Sequence, residues 1–170
     1  GGTVPEGTDV AAAQPSEPQK ETPASDEALY GSTLSTFKAG KYEDALTGFK
    51  GFLKQYPKSN LADNAQFWLG EIYYREKWYE KAILEYQKVI ENYPKGNKLP
   101  AALLKQGLAF LKIGDKANAK LILQELLDKH PQTNEGRIAA QKIKPNNSPV
   151  IRLTRSLKAK TTGSSCMPPR

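Results

Sequence analysis

One histidine and one cysteine are all the imidazole and thiol chemistry in this 170-residue sequence. They are too few for a usual four-ligand zinc site. Cys166 has no second cysteine to pair with, so no intramolecular disulfide is possible. His130 stands directly before Pro131, where two other stretches carry Tyr56-Pro57 and Tyr93-Pro94, so it is expected to pack rather than to act as a base. Glu43 and Asp44 are the most tempting carboxylate pair, but they open an apolar-periodic run. Acids in a first turn complement the helix dipole, which explains the pair without acid–base work. No glycine-rich phosphate loop and no Ser/His/Asp arrangement occurs. The chain is therefore expected to be non-catalytic, with no cofactor and no metal, and its chemistry to be that of a binding surface.

A binding surface needs elements to carry it, and the clearest lie in Ala65 to Pro94. Ala65, Leu69, Ile72 and Tyr73, then Ala82, Tyr86, Val89, Ile90 and Tyr93, recur at three- and four-residue steps. That spacing predicts two amphipathic helices with a break near Lys77. Neither could bury its stripe alone. Their neighbours appear when the sequence is slid along itself by thirty-seven residues: Ala45, Ala82 and Ala119 coincide, as do Phe49, Tyr86 and Leu123, and Leu53, Ile90 and Leu127. Gly70 meets Gly107, and Gly40 meets Gly114 with Lys77 between them. A fixed period of this size with a helix–turn–helix in each copy predicts an all-α solenoid. Lys77 is expected to share the left-handed backbone that suits Gly40 and Gly114 just past a helix end.

Three such copies and a short final helix fill residues 26–143. The first helix starts near Asp26 and carries Leu29, Tyr30, Leu34 and Phe37; the second starts near Tyr42. A Ser59 or Asn60 cap is expected before the third helix. Pro100 fits the first turn of the fifth. The last helix, about Thr133 to Ile143, has Ile138, Ala139 and Ile143 as its apolar set, as a solenoid cap with one wet face requires. Residues 1–25 hold four prolines and almost no large apolar side chain, which predicts a disordered linker. Residues 144–170 form a basic tail, expected to be solvated or vector-derived, the alternative being a segment for a membrane surface or an anionic partner. The net charge of +7 comes mostly from there: residues 144–170 carry six basic side chains and no acid, whereas 26–143 carry eighteen against fourteen. No run of eighteen apolar residues occurs, so no membrane span is expected. The sequence opens on Gly1 and not on Met, so it is expected to be a mature or excised fragment, with Gly-Gly expected to be a cloning scar.

The residues Leu69-Gly70, Tyr73, Ala82, Tyr86 and Pro94 sit at the spacings of the tetratricopeptide repeat, which this chain resembles; Gly107, Phe110, Ala119, Leu123 and Pro131 repeat them. The first copy departs, with Thr33 and Thr36 where Gly and Tyr are expected. The resemblance implies a right-handed solenoid of three helix–turn–helix repeats with a capping helix. The string YPKSNLADNAQFWLGEIYY and the helices after it further resemble the C-terminal domain of the periplasmic Tol-Pal accessory proteins, the cell-division coordinators, over about residues 26–143. In that family a trimerising coiled coil and a linker precede the domain. Since no coiled coil occurs here, this chain is expected to be monomeric and the full-length protein trimeric.

In tetratricopeptide solenoids the first helix of each repeat lines a concave groove. With Gly70 as the eighth repeat position, the groove residues implied are Tyr30, Leu34 and Phe37; Asn64, Phe67, Glu71 and Tyr74; and Leu104, Leu108 and Leu111. Such a groove is apolar, rimmed by Glu71, Arg75, Lys38 and Lys112, and suits an apolar helix or an extended segment. Tyr30, Phe37, Phe67 and Tyr74 form a ladder of aromatics that the core is not expected to require, with Glu71 free to select a basic residue. The family resemblance implies a Tol-system protein as the partner. Two alternatives stay open: an envelope scaffold for outer-membrane protein assembly, and an anion or nucleic-acid binder acting through the tail.

Overall fold

The computed structural model describes residues 25–144; the linker and tail readings fall on 1–24 and 145–170, outside the described residues. Seven helices follow one another: α1 (Asp26–Lys38), α2 (Tyr42–Gln55), α3 (Ala62–Arg75), α4 (Tyr79–Asn92), α5 (Leu99–Lys112), α6 (Lys116–Lys129) and α7 (Asn134–Lys142). Each packs on its chain neighbours, and α7 also reaches back to α5. The described chain is thus a solenoid of three helix pairs closed by a cap.

The three turns inside the repeats are built alike. Gly40, Lys77 and Gly114 have φ of 77°, 63° and 83°, as the alignment predicts for all three. In each, the next residue's N–H donates to a carbonyl five residues back: Lys41 to Thr36 at 3.2 Å, Trp78 to Tyr73 at 2.9 Å, Asp115 to Phe110 at 2.9 Å. This double closure satisfies carbonyls left open at the helix end and requires a left-handed residue. The turns between repeats are also copies. Tyr56, Tyr93 and His130 cap α2, α4 and α6 with φ of −127°, −131° and −133°. A proline follows each, so the helix cannot continue.

One cap differs from expectation. The N-cap of α3 is Leu61, with no side-chain hydrogen bond. Ser59 is occupied otherwise: its Oγ accepts from the Leu61 N–H at 3.1 Å and donates to Asp26 Oδ2 at 2.6 Å, tying the first turn between repeats to the start of α1.

The core runs through the stack as three clusters. The first gathers Phe37, Ala45, Phe49, Phe52, Leu69 and Ile72; the second centres on Phe67, Tyr86 and Val89; the third on Leu103, Leu104, Leu123 and Leu126. Close approach within a repeat needs a small residue. A Cβ on Gly70 would stand 2.5 Å from the Tyr86 ring, and one on Gly107 2.7 Å from Leu123. The first repeat solves this differently: Thr33 is buried, its hydroxyl donates to the Leu29 carbonyl at 2.8 Å, and the room comes from Gly48 on the facing helix. The cap also corrects the sequence expectation: Gly136 and Ala139 are its buried residues, Ile143 packs partly on the third cluster, and Ile138 is 39% exposed.

Candidate binding groove

The first helices of the three repeats, α1, α3 and α5, carry the residues assigned to the groove. Between α1 and α3 the contact is aromatic. Trp68 Nε1 donates to the Tyr30 hydroxyl at 2.8 Å, and the Phe37 and Trp68 rings lie 4.8 Å apart. Tyr30 also leans on Phe49 and Phe52 at 6.0 and 5.9 Å. Phe67 touches Trp68 at 5.9 Å and Tyr86 at 5.8 Å. Consequently Phe37 and Phe67 are only 6% and 7% exposed, and Leu104 8%. The expected ladder of four aromatics outside the core is corrected here: Phe37 joins the first core cluster, against Trp68 of the next repeat, and Phe67 joins the second, against Tyr86 of its own repeat. Tyr30, Leu34, Asn64, Tyr74 and Leu108 are half-buried, and Leu111 is exposed.

Cations cover the aromatic faces. The Arg75 guanidinium lies 5.1 Å from the Phe37 ring centre, and Lys98 Nζ 5.1 Å from that of Phe67. Lys105 Nζ sits 3.9 Å from the Tyr74 ring and 3.4 Å from Glu71 Oε1. Such contacts join ring quadrupole to charge and gain strength where water is partly excluded. The surface is therefore basic as well as apolar, with Arg75 of the expected rim joined by Lys98 and Lys105. Glu71 is also reassigned. It accepts from the Tyr86 hydroxyl at 2.6 Å while pairing with Lys105, so it is engaged from both sides rather than free to select a basic ligand group.

Trp68, Lys98 and Lys105 were missing from the groove assignment. Lys98 and Lys105 are seven residues apart, one face of α5, which was the available signal. The local field follows from this packing. Burial pushes the Tyr86 phenol far up, helped by the Glu71 charge and hydrogen bond. Burial likewise raises Tyr74, with Tyr79 and Glu71 adding to it, and Tyr30, against the hydrogen bond from Trp68. Among the described residues, Asn64 Oδ1 and His130 Nε2 are buried without a hydrogen-bond partner. His130 itself is half-buried at the end of α6. Among the described residues no group of three or more His, Cys, Asp or Glu could hold a metal ion, and no helix is long and apolar enough to cross a membrane.

A protein family described as YfiO, outer membrane lipoprotein, matches residues 22–117. The cell division coordinator CpoB of Pseudomonas putida is 37% identical over 59 residues, which are 35% of this chain. The chain spans only about 20% of that curated relative's length. Among solved structures, the second tetratricopeptide domain of human RPAP3, in complex with an HSP70 peptide, superimposes with a TM-score of 0.57 at 20% identity, covering 71% of this chain and 96% of that one. The Sgt2 tetratricopeptide domain of Aspergillus fumigatus does so with a TM-score of 0.56 at 14% identity, covering 87% and 90%. These likenesses show a tetratricopeptide fold.

Proposed function

From the premise that this chain belongs to the YfiO outer membrane lipoprotein family, we propose that it is a non-catalytic interaction module of the bacterial cell envelope. It binds a segment of a partner protein in the concave groove, and that partner is a component of the Tol system, as for a cell division coordinator. The observation that carries the groove is the row of aromatic faces under Arg75, Lys98 and Lys105. Cations already positioned over apolar rings suit an extended or helical segment with apolar side chains and some negative charge. The cell-division assignment rests on the 59 residues shared with CpoB.

Binding of purified periplasmic domains of Tol-system proteins to the whole chain tests this directly. Tyr74 is half-buried, lies under Lys105 and packs only on the margin of the second cluster, so Tyr74→Ala should leave the helical content intact. Removing an aromatic anchor typically costs about 2 kcal/mol or more. Affinity should therefore drop at least about thirtyfold. Normal binding by a folded Tyr74→Ala chain would move the partner to another face. The family match across residues 22–117 also supports a second reading, a scaffold for outer-membrane protein assembly. Binding to outer-membrane assembly proteins, and to no Tol-system domain, would select it.

A further inference from the structure

The thirty-seven-residue offset pairs Asp26 with Asp63 and Ser59 with Gly96. In the first turn between repeats Ser59 donates to Asp26 Oδ2 at 2.6 Å. In the second, Gly96 has no hydroxyl to give, and a Cβ there would stand 2.5 Å from Asp63 Oδ2. Asp63 is only 7% exposed. Its Oδ1 accepts from the Asn64 N–H at 2.8 Å. Among the described residues, Oδ2 makes no hydrogen bond or ion pair. The carboxylate borders a cleft of about 390 Å³ whose other walls include Ser59, Asn60, Asn92, Tyr93 and Asn97. Lys95 lines the same cleft but makes no ion pair with Asp63.

A carboxylate removed from water is costly unless an opposite charge or donors replace the lost hydration. The first junction meets that need internally, whereas the second leaves it open beside a cleft of side-chain size. We propose that this cleft is a second binding site, outside the groove, which takes a basic side chain of a partner protein, an ammonium or guanidinium, onto Asp63. Its wall fits that class. Neutral amides and a phenol can accept the remaining N–H groups of a guanidinium, which donates five. One carboxylate beside neutral groups and Lys95 is a poor cage for calcium, which takes six to eight oxygens. The inference does not depend on the groove being the main partner site.

The test is a titration of the ¹⁵N-labelled whole chain with argininamide and, separately, with calcium chloride, followed through amide signals. Argininamide should shift Asn64, Gly96 and Asn97 in a saturable way. Asp63→Asn keeps the shape and removes the charge, and should weaken that response at least about tenfold. Gly96→Ser, at a position without a left-handed φ, brings a Cβ against Asp63 Oδ2 and should weaken it too by displacing the carboxylate. No response to argininamide in the unsubstituted chain overturns the proposal, as does an equal response in Asp63→Asn or a response to calcium alone.

Discussion

At the scale of single residues, conformation and charge each leave a measurable trace. Lys77 occupies the left-handed region with φ of 63°, where its two counterparts are glycine. A side chain there costs roughly 1 kcal/mol, and glycine's greater freedom in the unfolded chain offsets part of the gain. Lys77→Gly should thus raise the thermal midpoint modestly, and an unchanged or lower midpoint would contradict it. The prediction was legible in the sequence because the left-handed turn repeats three times and only one copy lacks glycine. Glu71 was not legible: its partners Tyr86 and Lys105 come from other helices, fifteen and thirty-four residues away. The Tyr86 phenol, raised by burial, makes a pH prediction. Below pH 10 both folded and unfolded chains keep its proton. Above pH 10 the unfolded phenol ionises while the folded one does not, so stability falls as pH rises, by about 1.4 kcal/mol per pH unit for one group. Chemical denaturation between pH 9 and 11 should show a shallower decline for Tyr86→Phe than for the unsubstituted chain. Equal slopes would mean that Tyr86 does not hold its proton more tightly when folded.

At the scale of helices, the governing contact is the small residue that lets a pair close. Gly70 and Gly107 supply it on the first helix of their repeats, and both were readable from the period. In the first repeat the sequence departs from this pattern, with Thr33 at that position. The structure shows an exchange of roles: Thr33 fills the space that Gly48 leaves on α2, where a Cβ would come within 2.6 Å of the threonine methyl. A pattern defined by fixed positions cannot reveal such an exchange, since the compensating residue lies on the other helix. Overpacking a tight contact typically costs 1–3 kcal/mol. Gly48→Ala should therefore destabilise by roughly 1–3 kcal/mol in urea denaturation. Thr33→Gly should recover much of that loss in the double variant, apart from about 1 kcal/mol for glycine inside a helix. Simple additivity of the two losses would show that the residues are not sharing one space. Helix existence and the repeat turns were legible for a related reason: they depend on local spacing, glycine and proline. The burial of Phe37 and Phe67 was not, because it depends on tertiary partners on other helices, Trp68 for Phe37 and Tyr86 for Phe67.

At the scale of the whole molecule, stability and charge are distributed along a line. Each repeat contacts its neighbours, so the last one depends on its cap. Helix α7 covers Leu103, Leu104 and Leu126 in the third cluster and is seated by Gly136, where a side chain would collide with the His130 carbonyl oxygen. Beyond it, residues 145–170 carry five basic side chains and no acid. Two truncations divide these contributions. Ending the chain at Lys144 should leave the melting temperature unchanged and remove most binding to heparin or DNA, since salt-sensitive backbone binding scales with the number of cations engaged. Tight heparin binding by that shortened chain would instead place the anion site on the solenoid. Ending the chain at Pro131 removes α7 as well and uncovers apolar side chains that are 0–8% exposed in the intact stack. Burial is worth about 25 cal/mol per Å² of apolar surface, so losing a cap of this kind costs several kcal/mol. Because coupling runs between neighbours, the loss should be local: amide exchange should speed most in α5 and α6 and least in α1 and α2. Uniform acceleration across all six helices would mean that the repeats melt as one block, and Gly136→Ala should then reproduce that uniform pattern.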